Sequence, residues 1–242
     1  MVTRVKGIDI SVFQNKISSY QAIRDSGVVF AYVRGLYGCS WDSLMDTHLT
    51  GLQNVGILVG VYQFTLPGDD AHEEARLVVQ RESLDLPVTG DIETLNKHTA
   101  AEAQVWVHDY MAHIKEFGKR KPMIYTGKYF WDNSLGEDDN FGCSLFHAQY
   151  TTAATPSISK AWADWTMWQH LGNAYLDPND NHVIVPAGTC PGISGDVDCN
   201  WFNGSLEELK TWAKSTWIDT TPSPYAVLPT DPPDALTVMG YR

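Results

Sequence analysis

The chain lacks the features of several protein classes. No stretch of its 242 residues approaches the ~20 consecutive apolar residues that a membrane span requires. The opening, "MVTRVKGIDIS", has no apolar run of the signal-peptide kind. Basic residues are scarce: 17 Lys and Arg stand against 29 Asp and Glu, a formal net charge of −12. That balance excludes general binding to nucleic acid or to an anionic membrane, both of which want a basic face. An anionic polymer is still admissible as a substrate, since exposed charges are screened beyond ~8 Å in physiological salt. The four cysteines, Cys39, Cys143, Cys190 and Cys199, form no CxxC pair, so a zinc site of the usual spacing is not expected. Cys190 and Cys199 flank the loop "CPGISGDVDC", where a bridge and two free thiols are both open. Eight histidines show no HExxH pattern. No metal and no cofactor are expected.

Hydrophobic residues make up 43% of the chain, enough for one sizeable core. Short apolar runs alternate with amphipathic stretches. "VKGIDIS" (5–11), "VVFAYVRG" (28–35), "LVGVYQFT" (58–65) and "PVTGDIET" (87–94) read as strands. Between them "SYQAIRDSG", "SLMDTHLTGLQNVG" and "DDAHEEARLVVQRESL" (69–84) read as helices, the last with Asp69 or Asp70 as its cap. "TAAEAQVWVHDYMAHIKEFG" (99–118) has a capping-box spacing, Thr99 to Glu102, and stops at Gly118. Four further strands come next, at 122–128, 143–150, 165–170 and 195–202, with turn-rich connections and a closing helix at 205–213. The alternation predicts an α/β fold with a parallel sheet. Eight strands predict closure into a single β/α barrel, irregular in its second half. We expect the barrel to occupy residues 1–214. The stretch 215–242 contains five prolines and no helical period, and is expected to be a linker or tail, either leading to a further module or packed on the barrel.

Parallel barrel strands present their C-terminal ends on one face, where such folds place their chemistry. Acidic residues recur at those ends: Asp9 on the first strand, Asp91 and Glu93 on the fourth, Asp196 and Asp198 on the eighth. First and last strands of a closed barrel are neighbours, so Asp9 is expected beside Asp196 or Asp198. Asp91 and Glu93 share a face because side chains alternate along a strand, with Cα atoms ~6.5–7 Å apart. A nearby like charge and desolvation favour the neutral acid. The pattern predicts that Glu93 keeps a proton above the ordinary value of ~4.3 while Asp91 stays ionised. One group then protonates a leaving oxygen and the other faces an oxocarbenium-like centre, the division of labour in glycoside hydrolysis. A converging-oxygen metal site is the rival use of such acids. Near the strand ends Tyr62, Tyr125, Tyr150 and Trp168 are candidate sugar platforms. Arg34 and Gln169 are candidate hydrogen-bond donors to carboxylates or sugar hydroxyls, with a structural ion pair the other use of Arg34.

These residues resemble a known family. "GIDIS" followed by Gln14, "YVRG", "VGVYQF", "DIE", "AQY", "WTMWQH" and "GDVDCNWF" come in the order and at the spacings of the family 25 glycoside hydrolases, muramidases of bacteria and of phage lysins. The resemblance covers about residues 5–213. It implies a flattened eight-stranded barrel with fewer than eight helices, and cleavage of the β-1,4 bond between N-acetylmuramic acid and N-acetylglucosamine in peptidoglycan. It implies Glu93 as proton donor, Asp91 as its partner, Asp9 and Asp198 as further active-site acids, and Tyr62 as a cleft tyrosine. Gly35, Gln63, Phe146 and His147 depart from the usual pattern, and all four departures bear on sugar subsites. The enzyme is expected to act as a monomer on bacterial peptidoglycan, secreted or released by phage, without inserting into a membrane. A chitin-type N-acetylglucosaminidase or a non-catalytic wall-binding barrel is the alternative.

Overall fold

A computed structural model describes residues 3–176 and 184–218. The elements run in chain order. Strand β1 (Val5–Ile10) leads through a 3-10 turn at Val12–Gln14 to helix α1 (Tyr20–Asp25) and β2 (Val28–Tyr37). The two-residue β3 (Ser40–Trp41) folds back on β2, before α2 (Met45–Asn54), β4 (Leu58–Phe64) and α3 (Ala71–Val78). Next come β5 (Thr89–Asp91), α4 (Ala100–Phe117), β6 (Met123–Gly127), a π-helical turn at Phe130–Leu135, and β7 (Ser144–Ala148). The last described elements are β8 (Met167–Leu171), the small pair β9 (Tyr175–Leu176) and β10 (Ile184–Val185), β11 (Asp198–Phe202) and α5 (Leu206–Ser215).

Local chemistry sets the helix ends. Asp70 caps α3 by accepting from Glu73 N, and Thr99 with Glu102 forms a complete capping box on α4. Ser205 and Glu208 do the same for α5. Each satisfies amide donors that the first helical turn leaves without partners.

The sheet closes in the order β1-β2-β4-β5-β6-β7-β8-β11 and back to β1. It is a flattened, irregular eight-stranded β/α barrel. The barrel pairs β1-β2-β4-β5-β6-β7-β8 are parallel, but β11 runs antiparallel to both β8 and β1. This corrects the expectation that the acids of the eighth strand sit at its C-terminal end. Among the described residues, no helix lies between β8 and β11 to carry the chain back to the other end. β11 therefore starts at the end where β8 finishes and descends, as a connection without a crossover must. Asp198 is the first residue of β11, directly paired with Asp9 on β1.

Alternation sorts each strand into two faces. Ile8, Ile10, Val59, Val61, Ile124 and Leu145 point outward into the core beneath the helices. Phe30, Tyr32, Met123, Phe146, Met167 and Phe202 fill the barrel interior. Gly7 and Gly60 make room for them: a β-carbon at Gly7 would overlap the Phe30 ring, and one at Gly60 would lie 2.6 Å from the Tyr32 ring. Leu209 and Ala213 of α5 pack onto this inner cluster, and Trp212 Nε1 donates to Ser144 Oγ at the start of β7. The barrel is thus plugged at one end by apolar groups, and its polar groups collect at the other.

Past α5 the chain still packs on the barrel as far as it is described. Ile218 N donates to Lys119 O and Lys121 N to Thr216 O. The buried Arg120 donates to Thr216 Oγ1, and its guanidinium lies 5.0 Å from the Trp217 ring centre. The expected proline-rich tail beyond residue 218 lies outside the described residues.

Candidate active site

Inward positions at the open end of successive strands line one cleft, of about 420 Å³. β1 supplies Asp9, β2 Arg34, β4 Tyr62, β5 Asp91, β6 Tyr125, β8 Gln169 and β11 Asp198. Glu93 lies two residues past Asp91, just beyond the end of β5, and lines the same cleft. The segment keeps its strand-like course because Ile92 N still donates to Tyr125 O. Ile92 itself is fully buried on the other side. Asp91 and Glu93 therefore face one way, as the two-residue spacing requires. Thr65 Oγ1 donates to the Asp91 carbonyl at 2.7 Å and fixes the strand end.

Hydrogen bonds arrange the floor of the cleft. Asp9 Oδ2 accepts from Gln169 Nε2 at 3.0 Å and from Asn200 Nδ2 at 2.9 Å. Gln169 Oε1 in turn accepts from the hydroxyls of Tyr125 at 2.8 Å and Tyr150 at 2.9 Å. One glutamine thus orients two tyrosines and a carboxylate. Arg34 is tied to Asp42, with Nε 2.9 Å from Oδ2. Asp42 is held by the amides of Val12 and Leu44. The ion pair of Arg34 is with Asp42, a residue without any signal in the sequence, rather than with Asp9.

Asp9, Asp91, Glu93 and Asp198 share this space with a cation that is already paired. Asp9 is raised above its ordinary value by burial, against which the Gln169 and Asn200 hydrogen bonds act. Burial, then the charge of Asp9 and their mutual hydrogen bond, push Asp198 up to about 8. Asp91 is raised well above the aspartate range by burial first and then by Glu93 and Asp9. Its buried Oδ1 has no hydrogen-bond partner among the described residues. Glu93 is raised as well, by the enclosing walls and by Asp9. Glu93 nevertheless reaches solvent at the cleft mouth, so water tempers its shift. Both carboxyls of the expected Glu93–Asp91 division are thus raised, the Asp91 group included. Asp91 lies deeper in the cleft than Glu93.

Of the other sequence candidates, Tyr62 and Asp196 line the cleft, Asp196 at the exposed rim. Trp168 does not. It neighbours the inward Gln169, so alternation turns it outward, where its buried indole donates to Gln149 O at 2.8 Å and packs on Trp165. The departure at Gln63 also lies outside the cleft: its side chain is buried between Tyr110, Glu74 and Gly38 O. Phe146 lines the cleft. His147 faces an adjoining groove as a neutral imidazole, pushed down to about 4 by burial. Besides Asp42, two further residues contribute that the sequence reading did not name. Asn200 was legible, since it stands two residues from Asp198 on the same face. Phe13 comes from the 3-10 turn after β1, 77% exposed, with the Arg34 guanidinium 5.1 Å from its ring centre. The four cysteines are free thiols. Among the described residues no group of three or more His, Cys, Asp or Glu is placed to hold a metal ion.

Comparison with known proteins agrees with the barrel fold. The sequence model of "Glycosyl hydrolases family 25" matches residues 8–177. Lysozyme M1 of Streptomyces globisporus is 26% identical over 227 residues, 88% of this chain and 72% of that protein. Among solved structures, a lysozyme from Streptomyces coelicolor aligns with a TM-score of 0.75 at 25% identity, covering 89% of this chain and 100% of its own. A family GH25 lysozyme from Aspergillus fumigatus aligns at 0.72 and 26% identity, covering 87% and 99%.

Proposed function

Since the chain belongs to the family 25 glycosyl hydrolases, we propose that it is a muramidase, cutting the β-1,4 bond between N-acetylmuramic acid and N-acetylglucosamine in bacterial peptidoglycan. The observation that carries this reading is the convergence of Asp9, Asp91, Glu93 and Asp198 on one cleft whose cation, Arg34, is already paired with Asp42. A binding barrel gains nothing from crowding buried like charges, whereas an acid catalyst needs a carboxyl that keeps its proton near neutral pH.

Glu93, the most accessible of the acids, protonates the glycosidic oxygen as the C–O bond to the muramic acid anomeric carbon breaks. The oxygen of the 2-acetamido group on that sugar attacks the same carbon and closes an oxazolinium ring. Asp91 faces the developing positive charge as a carboxylate, stabilising the ring through its charge and by accepting a hydrogen bond from the acetamido nitrogen. Glu93, now a carboxylate, takes a proton from water as that water opens the ring. This is the substrate-assisted variant of the two-carboxylate scheme. It suits two acids two residues apart on one extended segment, which cannot straddle a sugar ring. The Asp9–Asp198 pairing favours one other course: an inverting attack by water activated there. NMR of the first-formed anomer separates the two, retention excluding inversion and inversion excluding the acetamido route.

The test is loss of turbidity of purified sacculi with the reducing ends identified. The parent enzyme is expected to release muramic acid ends. Glu93→Gln is expected to fall by about 10²–10⁴-fold, the usual contribution of a positioned acid. N-acetylglucosamine ends would reassign the enzyme to the glucosaminidase class, and a Glu93→Gln variant as fast as the parent would remove Glu93 from the mechanism. Such an enzyme works where peptidoglycan is, after secretion or phage-mediated release.

A further inference from the structure

The cleft does not stop at Glu93. A second groove of about 520 Å³ adjoins it, and Glu93, Tyr125 and Tyr150 line both. Its outer wall is formed by the turn after β6, with Lys128 and the 75% exposed ring of Tyr129, faced by Gln149 and Ser157. Resting on the muramidase reading, the position of Glu93 orients the substrate. A general acid stands at the bond being cut. Asp91, which faces the anomeric carbon, lines the first cleft and not the second groove. The second groove therefore receives the leaving sugar and the next unit of the glycan.

Beyond an N-acetylglucosamine leaving group, the alternating polymer continues with a muramic acid unit and its peptide branch, which carries free carboxylates. Among the described residues that line this groove, Lys128 is the one Lys or Arg. Its ammonium donates to a neutral group, Ser157 Oγ, at 3.0 Å, rather than to an acid. Ser157 is held in place by its own amide, which donates to Gln149 Oε1 at 2.7 Å. We propose that Lys128 is a specificity-determining residue that binds a carboxylate of the peptide branch on the leaving side of the glycan. In a chain of net charge −12, a cation oriented at the end of the groove supplies local attraction that the rest of the surface does not.

The test compares soluble peptidoglycan fragments with the same fragments after carbodiimide amidation of their free carboxylates. On untreated fragments Lys128→Gln is expected to raise KM about fivefold with kcat unchanged, the size of one well-placed, partly solvated ion pair. On amidated fragments parent and variant are expected to match, and Lys128→Arg is expected to retain most of the preference. An equal loss on both substrates assigns Lys128 to the sugar or to the fold and overturns the proposal, as does no loss on either. A parent enzyme that cuts neither substrate instead sinks the muramidase reading, and this inference with it.

Discussion

At the scale of single residues, the cleft holds its acids against their own chemistry. Asp198 has an ordinary value of 3.8 and stands at about 8 in the folded protein. Between those limits the native state keeps a proton that the unfolded chain has released. Stability is therefore full below the lower value and is lost as the pH rises through the window. Asp9, Asp91 and Glu93 shift in the same direction and add to the slope. Asparagine at 198 cannot ionise and can still donate to Asp9. Asp198→Asn is expected to melt higher than the parent at pH 8, by about 1–2 kcal/mol in stability, with the gap closing toward pH 4. Melting curves across that range decide it: two parallel profiles would mean that Asp198 does not carry the burden assigned to it. A variant that is both more stable and less active is what a strained functional group predicts.

At the scale of elements, alternation along a strand was the most reliable guide, and its misuse accounts for the largest error in the site. It placed Asp91 with Glu93, and it would have placed Asn200 with Asp198. Applied to β8 it separates Trp168 from Gln169, since adjacent residues cannot both face the cleft. Trp168→Phe is accordingly expected to lower stability by about 1–3 kcal/mol, through lost packing and an unpaired Gln149 carbonyl. KM for glycan fragments is expected to stay unchanged, and a raised KM would return Trp168 to the substrate. The barrel strands and the helices between them were legible because each carries its own period, and α1, α3 and α4 carry their own side-chain caps as well. Less legible was the direction of β11. A strand's pattern is the same read up or down, and only the lack of a helical period before it distinguishes the two. The Arg34–Asp42 pair was hidden for a related reason: Asp42 lies in a turn without periodicity, and its role comes from the amides of Val12 and Leu44 that surround it.

At the scale of the whole molecule, a protein of net charge −12 meets a polymer that is itself anionic. The cleft does little to offset this, since its Arg34 is already neutralised by Asp42. Lys128 opposes this field only at contact distance. The Debye length shrinks from ~30 Å at 0.01 M salt to ~8 Å at 0.15 M, so added salt removes long-range repulsion before it weakens a pair in contact. Hydrolysis of intact sacculi at low enzyme concentration is therefore expected to speed up over that range, because encounter is limited by the field of the whole protein. Lys128→Gln is expected to show the same rise, since the field does not depend on one residue. A rate that falls steadily with salt would require a basic contact surface larger than Lys128, and the acidic balance of the chain would then have misled about how the enzyme approaches the wall.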